Sequence, residues 1–226
     1  MSLTVTKKQR IHSIWLQLPY FTTIAVVVTV LSTLLSITPA IAHHATGSKI
    51  STNFIEGFLS GLAHPIIGVD HLSFVIALGL LAASLRLGFW IPVAFVLSAL
   101  AGTGAHLQSV NLPAPEFFIA ASVLIFGGIL ARKHYPNLVL MLILAAIAGL
   151  FHGYAYGEAI VGATMVPVLA YLLGFTIIQL AIAMLVYHMG RTILKQASEQ
   201  PVQSFRFAGF TVLGIGIAFV TNQFMG

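Results

Sequence analysis

The stretch HPIIGVDH, residues 64–71, sets His64, Asp70 and His71 inside a run that is otherwise apolar. Two imidazoles and one carboxylate are a donor set for a borderline divalent metal such as nickel, cobalt or zinc. Asp70 can serve instead behind a ligand imidazole, holding it in one tautomer. A second group, FHGYAYGEA at 151–159, carries His152, Tyr156 and Glu158. His152 and Tyr156 are four residues apart and share a helix face. The bland alternative for the first stretch is a proline kink whose polar groups hydrogen-bond neighbouring helices. Three ionisable residues in one short stretch weigh against it, because each charged group near a bilayer centre costs roughly 2.5–3.5 kcal/mol.

The surroundings are membrane-like. Of 226 residues, 58% are hydrophobic and 7% charged, with a mean hydropathy of +1.01. A soluble domain carries about 25% charged residues, so this chain could not keep its surface in water. With no cysteine, disulfides and thiolate metal sites are excluded. The formal charge of +5 forms no basic patch, and no nucleic-acid partner is expected. The expected partners are a divalent metal ion and the lipid bilayer, with homo-oligomerisation left open.

Residues 1–42 read as a signal peptide. Lys7, Lys8 and Arg10 precede an apolar stretch from about Tyr20 to Ile37, and Ala40 and Ala42 supply the small residues before a cleavage site. An uncleaved first helix is the alternative, since the apolar stretch is long for a signal. Residues 43–226 are then expected to form the membrane domain, an all-α integral membrane fold with six hydrophobic segments near 54–85, 89–107, 115–131, 137–156, 165–189 and 205–224. Most match the roughly 20 residues needed to cross about 30 Å of hydrocarbon. The polar stretch from Arg191 to Arg206 reads as the one loop long enough to be flexible.

With the mature N-terminus outside, Arg86, Arg132, Lys133, Arg191, Lys195 and Arg206 all fall on the inner side, as the positive-inside rule requires, and Lys49 alone lies outside. On the same map Glu56, Asp70, Glu116 and Glu158 fall at the outer end, with His43, His44, His64, His71, His106 and His152. A mouth of that polarity concentrates cations. His43, His44, Glu56, His106 and Glu116 are its candidate entrance residues. A continuous helix over 54–85 would run about 48 Å at 1.5 Å per residue, too long for one straight span. Pro65 disfavours helical geometry at His64 and Gly68 loosens the next turn, so the first helix is expected to break at His64–Pro65. Unwinding around Gly68 lets His64, Asp70 and His71 converge.

HPIIGVDH matches the His-Pro-x-x-Gly-x-Asp-His signature of the HupE/UreJ group of bacterial nickel and cobalt permeases. FHGYAYGEA resembles that family's second motif, and AHHATG at 42–47 resembles its mature N-terminus. The likeness covers essentially the whole mature chain. It implies secondary uptake of nickel or cobalt without ATP, the metal being transported and not kept as a cofactor. The absence of a GxxxxGK[ST] nucleotide loop agrees with this. By resemblance His64, Asp70 and His71 are metal-binding, with His152 and Glu158 as second-motif candidates. Where the family commonly has histidine this chain has Tyr156, which leaves that residue's role open.

Two other classes remain. An intramembrane zinc-dependent hydrolase could use the same donors with Ser73 nearby, although no HExxH pair is present. A metal-binding accessory membrane protein would hold the ion without flux. The sequence does not separate nickel from cobalt. Processing can be checked directly: terminal sequencing of the membrane-purified protein is expected to begin at His43. Recovery of an intact Met1–Ala42 segment would replace the signal peptide with a retained helix.

Overall fold

The computed structural model describes residues 50–195 and 200–225, with the side chains of 200–202 left out. The segment expected to be a signal peptide (1–42), His43 and His44 lie outside the described residues. Among those described there are seven helices and no strand: α1 (Phe54–Ile67), α2 (Val69–Ala83), α3 (Trp90–Leu107), α4 (Pro115–Leu130), α5 (Leu138–Glu158), α6 (Met165–Lys195) and α7 (Gln200–Met225). Helix ends follow local chemistry. Asn53 caps α1 by accepting from the Glu56 amide at 3.0 Å, and Glu56 reaches back to the Thr52 amide at 2.8 Å. Asn137 caps α5 through the Leu140 amide at 2.9 Å.

The outer surface of the bundle is apolar. Val139, Ile143 and Ile147 on α5 and Leu169, Leu173 and Ile177 on α6 are all exposed at four-residue spacing, the inverse of a soluble helix. Helices α3, α5, α6 and most of α7 are long and apolar enough to cross a membrane, and α1 with α2 make a fifth crossing if the bent pair is one span. The chain is therefore a multi-pass, all-helical membrane protein. The segment expected as a span near 115–131 forms α4, which has only 16 residues and would cover about 24 Å of hydrocarbon.

Two expectations about boundaries are corrected. The first helix does not break at His64–Pro65: α1 continues through Pro65 to Ile67, and the break is Gly68, where the axis turns by 76°. Pro65 removes one amide donor but sits in the last turn of α1, where the chain is about to stop. The Gly68 amide still closes that turn on His64 O at 3.1 Å. The halves are nearly equal, 14 and 15 residues. The long inner loop is also shorter than expected, because Arg191–Lys195 continue α6 and α7 begins at Gln200. A helix satisfies its own backbone wherever it emerges, and Lys195 in the last turn suits the negative end of the dipole.

Close helix approach sets the topology. A Cβ on Gly149 would meet the Phe95 carbonyl, one on Gly153 the Ala99 carbonyl, and one on Gly157 the His106 ring. Helices α3 and α5 thus run parallel in near-backbone contact. Thr103 Oγ1 ties them by donating to Gly153 O at 2.6 Å. In the same way Gly57 lies on Pro167 and Gly61 on Tyr171, while Gly79 lies on Ala183. The α1–α2 pair follows α6 in parallel but uses more residues for the same advance, and the surplus is the bend. Antiparallel to α4, α7 places Gly209 on Ala131 and Gly216 on Leu124.

One end of the bundle is knotted by polar contacts. Arg206 Nε donates to Ala131 O at 3.0 Å. Tyr135, between α4 and α5, bonds Ser84 at the end of α2. Burial pushes its phenol above the ordinary value, while the Ser84 hydrogen bond and the Arg206 charge pull it back. Arg86, Arg132, Lys133 and Arg206 gather at this end, and Glu56, Glu116 and Glu158 occupy helix termini at the other.

Lipid supplies no hydrophobic drive between helices, so packing density at the α3–α5 seam carries the association. Gly153→Ala is expected to lower stability in detergent by about 1–3 kcal/mol, the usual cost of overpacking. Gly104→Ala is the control, since a Cβ there meets nothing within 4 Å. Equal unfolding curves for the two variants would remove the seam from the account.

Candidate functional site

Gly68 is needed for space. Its backbone (φ −71°, ψ 105°) is open to any residue, but a Cβ would lie 2.6 Å from His71 Cδ2 and 3.1 Å from Asp70 Oδ1. The missing side chain lets the His71 ring fold back against the break. Asp70 sits in the first turn of α2, where its Oδ1 accepts the His71 amide at 2.8 Å. That bond satisfies one of the orphan donors of the new helix start.

The break faces α5 and α6, and three histidines meet there. His64 and His71 have ring centroids 5.8 Å apart, and His71 and His152 4.8 Å. His71 Nδ1 and His152 Nδ1 are hydrogen-bonded at 2.7 Å. Tyr171 Oη lies 3.0 Å from His64 Nδ1. Tyr156 stands against both histidines of the first motif, 5.0 Å from the His64 ring and 4.6 Å from that of His71, and donates to Gln179 Oε1 at 3.2 Å. His152, Tyr156 and Gln179 are fully buried, while His64 and His71 are 3% and 5% exposed.

This polar cluster lies between two apolar ones. Phe74 and Phe95 pack on His152 at 4.6 and 5.6 Å and belong to the core that includes Leu78, Phe126 and Met141. On the other side Tyr156, Tyr171 and Phe175 form a smaller core. The His64, His71 and His152 rings are thus held by packing as well as hydrogen bonds.

The remaining nominated residues are placed apart from this cluster or at its edge. Half-buried Asp70 points back to its own helix start. Glu158 is exposed at the end of α5. Glu56 serves the α1 cap, and Glu116 is half-buried in the first turn of α4. His106 packs edge-on against Tyr154 at 4.4 Å, and its Nδ1 is buried without a hydrogen-bond partner among the described residues. Among the described residues no three His, Asp or Glu side chains form a ready metal-binding group. What the fold assembles is a hydrogen-bonded histidine cluster, with Asp70 beside it.

Several participants carry no sequence signal of their own. Tyr171, in VLAYLLGF, and Ser122, in IAASVLIF, are single polar residues in apolar runs. Ser122 Oγ lies 2.9 Å from His152 Nε2. An isolated hydroxyl in such a run is a weak pointer, because most simply bond their own helix.

Comparison with known proteins spans both motifs. The family described as HupE / UreJ protein matches residues 30–219. Protein HupE of Rhizobium leguminosarum bv. viciae is 32% identical over 139 residues, covering 61% of this chain and 69% of that protein. No solved structure matches. With the match running across both motifs and every helix of the histidine cluster, the chain belongs to the HupE/UreJ family.

Proposed function

We propose that the chain is a secondary permease that takes up nickel or cobalt as its substrate across the bacterial cytoplasmic membrane. One observation carries this reading: a helix broken inside the bundle brings His64 beside His71 and His71 against His152 within a shell of aromatic side chains. Broken helices at membrane depth recur at transporter sites, since irregular backbone is tolerated only where protein or a cavity lines it. Neutral imidazoles suit nickel and cobalt, and they cost far less than carboxylates to keep in a bilayer. The family resemblance of HPIIGVDH points the same way.

Geometry supports replacement of the hydrogen bond between the two rings by an ion, the His71 proton moving from Nδ1 to Nε2 of the same ring so that both Nδ1 atoms offer lone pairs. Two imidazole nitrogens bound at right angles to one ion would lie about 2.9 Å apart, taking the roughly 2.0–2.1 Å of zinc–imidazole bonds as a guide. His71 and His152 Nδ1 are 2.7 Å apart. Opening the pair by a few tenths of an ångström admits the metal. Asp70, at the edge of the cluster, supplies the negative charge, and Gln179 and Tyr156 continue the polar path. In this reading α4 completes six spans, the mature N-terminus and the acidic end face outward, and the Arg-rich end faces the cytoplasm. His43 and His44 capture metal after signal cleavage, and His106, Glu116 and Glu158 attract it at the mouth. Rings already engaged with Tyr171 and with each other suit brief occupancy better than a resident hydrolytic zinc.

Radiotracer uptake of nickel and cobalt into proteoliposomes tests the proposal. His64→Ala, Asp70→Asn and His71→Ala are each expected to abolish most uptake at normal membrane abundance. Asp70→Asn is the sharpest, because it keeps shape and removes charge; uptake at the wild-type rate would sink the mechanism. The same assay ranks the second motif. Tyr156→Ala is expected to reduce transport less than His152→Ala, since Tyr156 bonds Gln179 and packs on rings. Equal and complete losses would make Tyr156 an essential site residue.

A further inference from the structure

Ser122 is buried on α4, outside both motifs, and its hydroxyl makes two short contacts. Oγ is 2.7 Å from Ile119 O and 2.9 Å from His152 Nε2. A carbonyl oxygen only accepts, so the single hydroxyl proton must lie between Oγ and Ile119 O. Without it, two sets of lone pairs would face each other at 2.7 Å. Ser122 therefore has only lone pairs to offer His152, and Nε2 must be the donor.

The consequence passes through the ring. A neutral imidazole carries one N–H, so a proton on Nε2 leaves Nδ1 of His152 as a bare lone pair. That lone pair faces His71 Nδ1 at 2.7 Å, and the proton between the two rings belongs to His71. A second proton on His152 would place a full charge in a completely buried ring walled by Phe74 and Phe95, which apolar surroundings penalise heavily. The groove behind Ser122 is lined by Phe118, Ile125, Phe126, Ile147 and Phe151, so its lining offers the hydroxyl no competing acceptor side chain.

We propose that Ser122 is a positioning residue that holds His152 in the Nε2–H tautomer, so that the Nδ1 lone pair is presented to His71 and to the passing metal. The transport consequence rests on the permease reading above; the tautomer does not. A serine serving only its own helix would need Ile119 O and nothing else.

The test uses full-length protein in nanodiscs and proteoliposomes, with Ser122→Ala and Ser122→Thr beside wild type. Nitrogen-15 NMR of histidine-labelled protein is expected to show His152 protonated at Nε2 in wild type and in Ser122→Thr, and a mixture of tautomers in Ser122→Ala. For nickel uptake, Ser122→Ala is expected to raise KM about tenfold, the lower end of what loss of a histidine's outer partner costs in metal affinity. Vmax should stay within about twofold, the pattern of lost binding with an intact transport step. Ser122→Thr should restore KM. A wild-type His152 protonated at Nδ1 overturns the tautomer assignment, and an unchanged KM in Ser122→Ala overturns the positioning role. If wild type carries neither nickel nor cobalt, the permease reading fails while the NMR result still decides the tautomer.

Discussion

A backbone in hydrocarbon must satisfy its own hydrogen bonds, and most of this fold answers to the one place where it does not do so by simple helix. At Gly68 the chain leaves α1 and starts α2 across a 76° bend. The last carbonyls of α1 and the first amides of α2 lose helical partners there. Gly68 N returns one bond to His64 O, and Asp70 takes the His71 amide. The bend remains affordable in lipid only because α5 and α6 enclose it. The enclosure then brings side chains from four helices to one point.

That enclosure is built from small residues. In water, burial of Phe74 or Tyr171 would itself drive folding at about 1.5–3 kcal/mol per side chain. Between helices in a bilayer that term largely vanishes, because lipid tails are as apolar as the neighbours. Dispersion between closely packed atoms decides instead, and it falls off within an ångström. Gly57 and Gly61 bring α1 onto α6, and Gly149, Gly153 and Gly157 bring α5 onto α3. The second ladder also fixes the rotation of α5. With its glycines turned to α3, His152 and Tyr156 are left facing the break.

What could be read in the sequence was whatever depends on local order. HPIIGVDH and FHGYAYGEA named the two stretches that meet, and apolar runs located the helices closely except at the inner loop, where α6 extends to Lys195 and α7 begins at Gln200. Proline is the stronger breaker by propensity, yet its position in the final turn made it harmless, and glycine supplied the bend because only a missing side chain leaves room for His71. Tyr171 and Ser122 could not be read, since their partners His64 and His152 are brought up by tertiary packing alone. Glu56, read in the sequence as a candidate entrance residue, closes the α1 cap with Asn53 in the structure. Helical periodicity also continued past Gly190, where polarity had read as a loop.

The cost of Asp70 can now be weighed. An ionised carboxylate at membrane depth costs roughly 2.5–3.5 kcal/mol. Asp70 is half-exposed, sits in the first turn of α2 and accepts the His71 amide, where the helix dipole returns up to about 2 kcal/mol. At least about 1 kcal/mol remains, which a cation held nearby would offset. In the proposed permease the three imidazoles add a further reason for a metal. A leucine or phenylalanine in place of His152 would pack between Phe74 and Phe95 with no need of Ser122. The chain instead keeps three imidazoles at one point and a neutral hydroxyl or ring partner for each outer member. Such partners orient lone pairs, and packing by itself does not require lone pairs to be oriented.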